Sequence, residues 1–314
     1  MRRILSIDGG GIKGVFPASF LATVEEAVGR NIADYFDLIV GTSTGGIIAL
    51  GLGLGFSAAD LLKFYEQHGA AIFGGNRTMR GLRHFRKPKY DPAPLKTVLE
   101  STFGTRLLGE SRKRLVVPSL NIATGKVHLW KTCHHPRLQF DFKLKAVDVA
   151  LSTSAAPTYF PTFQGDTGIP LIDGGVWANN PVAVAVVEAI GVLGWDRSDI
   201  SVLSLGCTTT PLDVDFSAKR GKLAWASIIA DVFMAAQASS ALGMAQHLIS
   251  DRANIVRISP EVGSRYQLDK VGEIPSLKGL GVSEARQALP TIVPAFFQSI
   301  AEEFVPCYPI KTTF

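Results

Sequence analysis

Ser43 stands in Gly41-Thr42-Ser43-Thr44-Gly45, a G-x-S-x-G pattern that follows an apolar run and precedes a helix-like one. A sharp strand-to-helix turn lifts a serine hydroxyl out of a sheet, and flanking glycines leave the backbone room to fold that tightly. The helix behind such a turn adds unpaired N–H groups and partial positive charge, which suit a developing anion. A second cluster is Asp8-Gly9-Gly10-Gly11-Ile12-Lys13-Gly14. Consecutive glycines turn successive N–H groups inward, forming a nest for a phosphate or an oxyanion. The third is Asp173-Gly174-Gly175, at another strand end, followed by Trp177-Ala178-Asn179-Asn180-Pro181. Ligand sites of open α/β sheets lie at strand ends, so a carboxylate there is available as a general base for Ser43.

The same glycines satisfy G-x-G-x-x-G through Gly9, Gly11 and Gly14, the dinucleotide-binding fingerprint. That reading requires an acidic residue at the end of the second strand, to hold a ribose. Here that strand ends in Gly41-Thr42-Ser43, and the nearest acid, Asp37, precedes it. A histidine completing a triad would be His247, after Asp173 in the order of the α/β-hydrolases, but it falls inside a long Ala/Ser/Leu helix. His134 and His135 precede Pro136 in what reads as a surface turn. No histidine pair has metal-ligand spacing with carboxylates, so no metal is expected.

The elements that must position these residues alternate strand and helix, the pattern of an α/β fold with a mainly parallel sheet. Strands are expected at 3–7, 38–40, 169–172 and 200–205, with a hairpin at 114–120 and 126–131. Helices are expected from Pro17 to about Val28, after Ser43, through about His68 behind a Ser57–Asp60 capping box, and at 145–152 and 182–192. Residues 221–250 and 284–304 read as helical, the latter capped by Ser283. No internal repeat or linker divides the chain, so a single domain over 1–314 is expected, with a motif-bearing core at about 3–206 and a helical C-terminal part at about 221–314.

The chain has 314 residues, 46% of them apolar and 19% charged, a mix that buries a large core and excludes disordered and fibrous classes. Its three cysteines are far apart, which fits neither a disulfide framework nor a zinc site and suggests a reducing compartment. Asp8 arrives too early for a secretory signal. The uncharged stretch from Leu38 to Ala59 is long enough to span a bilayer, yet its six glycines read as strand, turn and helix. The net charge of +5 is local: residues 77–89 hold six bases and no acid, and without them 26 bases would face 27 acids. Arg80, Arg83, Arg86 and Lys87, interleaved with Met79, Leu82 and Phe85, read as a solvated loop, a membrane-docking segment or a site for an anionic ligand.

Three glycine-framed strand ends in this order resemble the patatin-like phospholipase family, with Ser154-Ala155-Ala156-Pro157 and Asn179-Asn180-Pro181 as supporting segments. The resemblance covers roughly residues 3–206. It implies a three-layer α/β/α patatin-like fold and a lipid acyl hydrolase of phospholipase A type, in which Ser43 is the nucleophile and Asp173 its base. It further implies that Gly9, Gly10, Gly11 and Lys13 form the oxyanion loop, with the N–H groups of Gly10 and Gly11 in the hole. Gly41 and Gly45 would frame the nucleophile elbow, and Gly174 and Gly175 the dyad motif. Lys13 stands where the family more often has Arg, and lacks its planar fork. Short proteins of this build also resemble bacterial anti-phage effectors switched on by a cyclic dinucleotide. Catalysis would need no cofactor. The implied partners are membrane phospholipid, an anionic membrane surface and that activator, without a nucleic-acid polymer, and a homo-oligomer is compatible with the pattern. The implied location is cytoplasmic, peripheral at the inner membrane when active. A nucleotide-binding Rossmann-like oxidoreductase and a non-catalytic lipid-binding module stay open on the residues themselves.

Overall fold

The computed structural model describes residues 1–74, 88–209, 229–262 and 266–310. Its centre is a mixed, mostly parallel sheet of eight strands: β1 (Arg2–Ile7), β2 (Leu38–Gly41), β3 (Arg114–Asn121), β4 (Lys126–Lys131), β5 (Phe163–Gln164), β6 (Pro170–Asp173), β7 (Ile200–Leu205) and β8 (Ile255–Ile258). The order is β5-β6-β3-β2-β1-β7-β8, with β4 also paired to β3. Strands β3, β2, β1, β7 and β8 run parallel to their neighbours in that series. The hairpin partner β4 and the pair β5–β6 run antiparallel.

Successive side chains of a strand point to opposite faces, and both faces here are apolar. Leu5, Ile7, Leu203 and Leu205 join the core under α1 (Val15–Val28), α2 (Thr44–Gly53), α3 (Ala58–Phe73), α4 (Pro92–Phe103), α5 (Ala146–Thr153) and α9 (Ile274–Phe296). Ile4, Val40, Val202 and Ile200 join a second core under α7 (Val182–Gly191) and α8 (Ile229–Leu248). The three-layer α/β/α arrangement expected from the sequence is therefore present. A one-turn helix, α6 (Gly175–Ala178), follows β6 directly.

Local signals account for most boundaries. Gly29, in the left-handed region at φ 68°, ends α1. Ser57 Oγ accepts from Asp60 N–H at 3.0 Å and Asp60 accepts from Ser57 N–H at 3.3 Å, the reciprocal cap that opens α3. Asp91 caps α4, a helix the sequence reading did not anticipate, with Pro92 in its first turn.

The C-terminal part differs from its expectation in two ways. α9 begins at Ile274 and ends at Phe296, so Ser283 lies inside the helix rather than capping it. Its glycines lower helix propensity, but Gly281 is needed for close packing on α1: a Cβ there would come within 2.7 Å of Phe16 O. The C-terminal part, expected to be helical over about 221–314, also contains β8, which extends the sheet. From β8, Arg257 reaches back to the first loop. Its Nη1 donates to Asp8 Oδ1 at 2.8 Å and its Nη2 to Asp8 Oδ2 at 2.5 Å, while Nη1 also donates to Ser204 Oγ at 2.8 Å.

Asp8 is buried, so this bidentate pair fixes the start of the glycine loop across the sheet. Removing the guanidinium leaves a buried carboxylate without its partner. Arg257→Ala is expected to lower unfolding free energy by about 3–5 kcal/mol, read from denaturant midpoints. Arg257→Lys, which keeps the charge and loses the fork, is expected to lose less.

Candidate active site

β4 and β6 both pair with β3 at residues 119–121, so they occupy its opposite edges. β2 and β4 both pair with Val116, so β2 shares an edge of β3 with β6. β2 climbs that edge to Val116 and β6 descends it from Asn121 to Ser119. Their C-terminal ends meet at Pro118. Having no N–H to give, Pro118 turns its carbonyl into this gap, where Thr153 Oγ1 donates to it at 2.6 Å. The same Thr153 Oγ1 accepts from Ser43 N–H at 3.0 Å.

Ser43 has φ 55° and ψ −121°, a conformation that L side chains rarely adopt. The turn holds because it is tied on several sides: Thr42 N–H donates to Ile7 O at 3.1 Å, and Thr42 Oγ1 to Ala178 O at 2.7 Å. It also needs its glycines. A Cβ on Gly41 would lie 2.1 Å from Gly45 O, and one on Gly45 would lie 2.3 Å from Ile7 O. Helix α2 starts at the next residue, and buried Tyr65 clamps that start, sharing a 2.5 Å hydrogen bond with Thr44 Oγ1.

Ser43 Oγ donates to Asp173 Oδ2 at 2.6 Å, across 130 residues of sequence. The other carboxylate oxygen accepts from Gly175 N–H at 2.6 Å, and Asp173 N–H donates to Ala155 O at 3.0 Å. Asp173 is 4% exposed. Burial pushes its pKa up to about 6, against the opposing hydrogen bonds from Ser43 and Gly175. Such a group is ionised at neutral pH and still basic enough to take a hydroxyl proton.

The glycine loop faces this pair. Gly11 adopts φ 57°, and Ile12 N–H donates to Leu268 O at 2.8 Å. Gly10 and Gly11 line the same cavity as Ser43, and their N–H groups have no acceptor among the described residues. Gly9 and Lys13, expected in the same loop, offer less. Gly9 N–H is taken by Asn179 O at 3.0 Å, and Lys13 N–H by Gly10 O at 3.1 Å. Lys13 Nζ reaches Thr208 O at 3.5 Å, and neither residue lines the cavity. Gly174 lies against Pro118, its Cβ position 2.3 Å from Pro118 O.

The cavity has a volume of about 410 Å³. Beyond Ser43 its walls are apolar, formed by Ile47, Phe64, Ile72, Phe73, Leu95 and Phe160, a lining for a hydrocarbon chain. At its rim Val176 is 47% exposed and Phe233, on α8, is 65% exposed.

Other candidates fall outside this site. His134, expected in a surface turn, is buried, and its Nε2 lies 2.9 Å from Glu188 Oε1, which Lys131 Nζ meets from the other oxygen at 2.5 Å. His247 lies at the end of α8, with Nδ1 3.2 Å from Arg252, and does not line the cavity. Asp37, the nearest acid for a dinucleotide, accepts from Arg3 N–H at 2.9 Å at the N-terminal end of β2, away from the loop. Arg80, Arg83, Arg86 and Lys87 lie outside the described residues. Among the described residues there is no metal-ligating cluster, and no helix is long and apolar enough to cross a membrane.

Sequence reasoning missed Arg257 and Thr153. Nothing local marks either residue, since each acts on a partner more than a hundred residues away in sequence.

The family model of the patatin-like phospholipases matches residues 5–186, a span that holds all three glycine-framed motifs. A cGAMP-activated phospholipase of Pseudomonas aeruginosa is 37% identical over 300 residues, covering 91% of this chain and 88% of that one. A cGAMP-activated phospholipase of Vibrio cholerae is 36% identical over 241 residues, covering 70% and 68%. One of Escherichia coli is 37% identical over 218 residues, covering 65% and 61%. With the three-layer sheet and its serine elbow already in place, these matches make the chain a member of the patatin-like phospholipase family, hydrolases of lipid ester bonds.

Proposed function

We propose that this chain is a phospholipase A type acyl hydrolase with Ser43 as nucleophile and Asp173 as its only general base, switched on by a cyclic dinucleotide at a membrane surface. The observation that carries the catalytic reading is the 2.6 Å Ser43–Asp173 hydrogen bond beside the N–H groups of Gly10 and Gly11, which have no acceptor among the described residues. Asp173 Oδ2 takes the hydroxyl proton as Ser43 Oγ attacks the ester carbonyl carbon. Negative charge moves to the carbonyl oxygen, where the Gly10 and Gly11 N–H groups are the donors. Collapse of the tetrahedral intermediate expels the lysolipid alkoxide, which takes the proton back from Asp173. Asp173 then deprotonates a water that attacks the acyl-serine; collapse breaks the bond to Ser43 Oγ, which takes that proton back from Asp173, and the fatty acid leaves. No imidazole enters the cycle.

Activation by a nucleotide rests on the relatives, three of which are named cGAMP-activated phospholipases. Fatty-acid release from phospholipid vesicles, with and without cGAMP, tests both parts together. Release is expected only with cGAMP, and Ser43→Ala is expected to remove it. A full rate without nucleotide would overturn the switch, and a rate that survives Ser43→Ala would overturn the nucleophile.

The pH dependence follows from Asp173. Ionised Asp173 is the base, so kcat/KM is expected to fall about tenfold per pH unit below about 6 and to level off above it. Stability runs the other way. The folded-state pKa of about 6 lies above the ordinary value of 3.8, so the folded chain holds this proton more tightly than the unfolded chain. That contribution is present below about pH 4 and is lost as pH rises through about 6. Asp173→Asn is therefore expected to abolish turnover while raising the melting temperature at pH 8.

Membrane contact is supported by the exposed apolar rim of the cavity, Val176 and Phe233. A lipid rising from a bilayer would enter past these residues, and burying one phenylalanine in hydrocarbon is worth about 1.5–3 kcal/mol. Phe233→Asp is expected to cut the rate on vesicles by roughly tenfold or more. On a soluble short-chain ester the loss is expected to be much smaller.

A further inference from the structure

After α9 the chain runs past the ends of the strands where β1, β2 and β3 begin. Ala301 N–H donates to Asp34 O at 2.8 Å, and Arg2 Nη1 pairs with Glu302 at 2.6 Å. Phe304 is buried, with the Arg114 guanidinium 5.1 Å from its ring centre. The strap reaches the segment after β4, where Cys307 N–H donates to Cys133 O at 2.8 Å and Tyr308 N–H donates to Cys133 Sγ at 3.1 Å. The Tyr308 ring stacks on Phe142 at 6.3 Å, and its hydroxyl donates to Pro136 O at 2.8 Å.

This register puts two cysteines face to face. A direct backbone hydrogen bond between two residues brings their Cα atoms to roughly 5–6 Å, the separation disulfides use. The Cys133 thiol itself faces the strap, accepting from the N–H of the residue after Cys307. Cys133 is buried and Cys307 is exposed, an arrangement of a resolving thiol behind an accessible one. The third cysteine, Cys207, is buried beside the glycine loop, its Sγ 3.7 Å from Asp8 O.

We propose that Cys133 and Cys307 form a reversible disulfide site that takes its oxidising equivalents from a small-molecule disulfide and staples the C-terminal strap to the end of β4. The Cys307 thiolate attacks one sulfur of oxidised glutathione, the S–S bond breaks, and reduced glutathione leaves with a proton. The Cys133 thiol then gives up its proton, and its sulfur attacks Cys307 Sγ, expelling the second glutathione as thiol. Two protein thiols are oxidised by two electrons, and one glutathione disulfide is reduced to two thiols. Burial pushes the Cys133 thiol up in pKa, so the second step is the slower one.

The test is incubation of the full chain, as wild type, Cys307→Ser and Cys133→Ser, with oxidised glutathione, then alkylation in denaturant, intact mass and peptide mapping. The wild type is expected to lose two hydrogens, to carry no glutathione and to leave only Cys207 alkylatable. Cys307→Ser is expected to lose nothing, and Cys133→Ser to stop as a glutathione adduct on Cys307. The closed loop spans most of the second half of the chain, so the oxidised wild type is expected to melt several degrees higher, reversibly with reductant. A lasting glutathione adduct on Cys307, a dimer through Cys307, or a bond from either residue to Cys207 would overturn the proposal. Should Cys133→Ser fail to fold, wild type and the exposed-site variant Cys307→Ser still decide between these outcomes.

Discussion

Two strands of opposite direction end at the same point on one edge of β3, and the contact between Ser43 and Asp173 exists because they do. A strand's side chains alternate faces, so slipping β6 by one residue would turn the Asp173 carboxylate to the other side of the sheet. The register Ser119↔Asp173 and Val40↔Val116 is thus a chemical specification as well as a packing one. Pro118 in the gap, and Thr153 bridging its carbonyl to Ser43 N–H, turn a break in the ladder into a support for the elbow.

The two buried aspartates of the motifs separate by what surrounds them. Asp8 meets Arg257 in a bidentate pair that opposes the upward push of burial on its pKa and ties the start of the glycine loop to β8. Asp173 is as deeply buried and, among the described residues, receives hydrogen bonds from Ser43 and Gly175 without a cation partner, and burial raises its pKa to about 6. The left-handed backbone at Ser43 is a second local cost, maintained by the hydrogen bonds around it. Strain and a buried carboxylate without a cation partner fall in one place, which is the cost expected of the proposed reactive site.

Much of this was legible in the sequence because close approach leaves a compositional trace. Gly41 and Gly45 have no room for a side chain, and so the elbow announces itself. The apolar strands β1, β2 and β7, the β3–β4 hairpin and the Ser57 cap were readable for similar local reasons. What was not readable depends on distant partners. β8 is four residues long with mostly half-buried side chains, and Arg257 gains its meaning from Asp8, 249 residues away. The antiparallel direction of β6 cannot be inferred from its own residues, which read equally well in either sense. His134 looked like a surface residue before a proline, but its partner Glu188 lies on α7, behind the sheet. The first turns of α9 are hidden for the same reason: Gly279 and Gly281 suppress the helix signal, and Gly281 is there for close packing on α1.

The proposed coupling of Ser43 to Asp173 without a histidine can be tested apart from the proposed membrane contact and activation by a single-turnover reaction. A fluorophosphonate in large excess modifies an activated serine covalently, and peptide mapping locates the adduct while its rate reports the base. With Ser43 driven by Asp173, the adduct forms on Ser43 alone, slows as pH falls through about 6, and is lost in Asp173→Asn. Modification of Asp173→Asn at the wild-type rate, or an adduct on another serine, would contradict it.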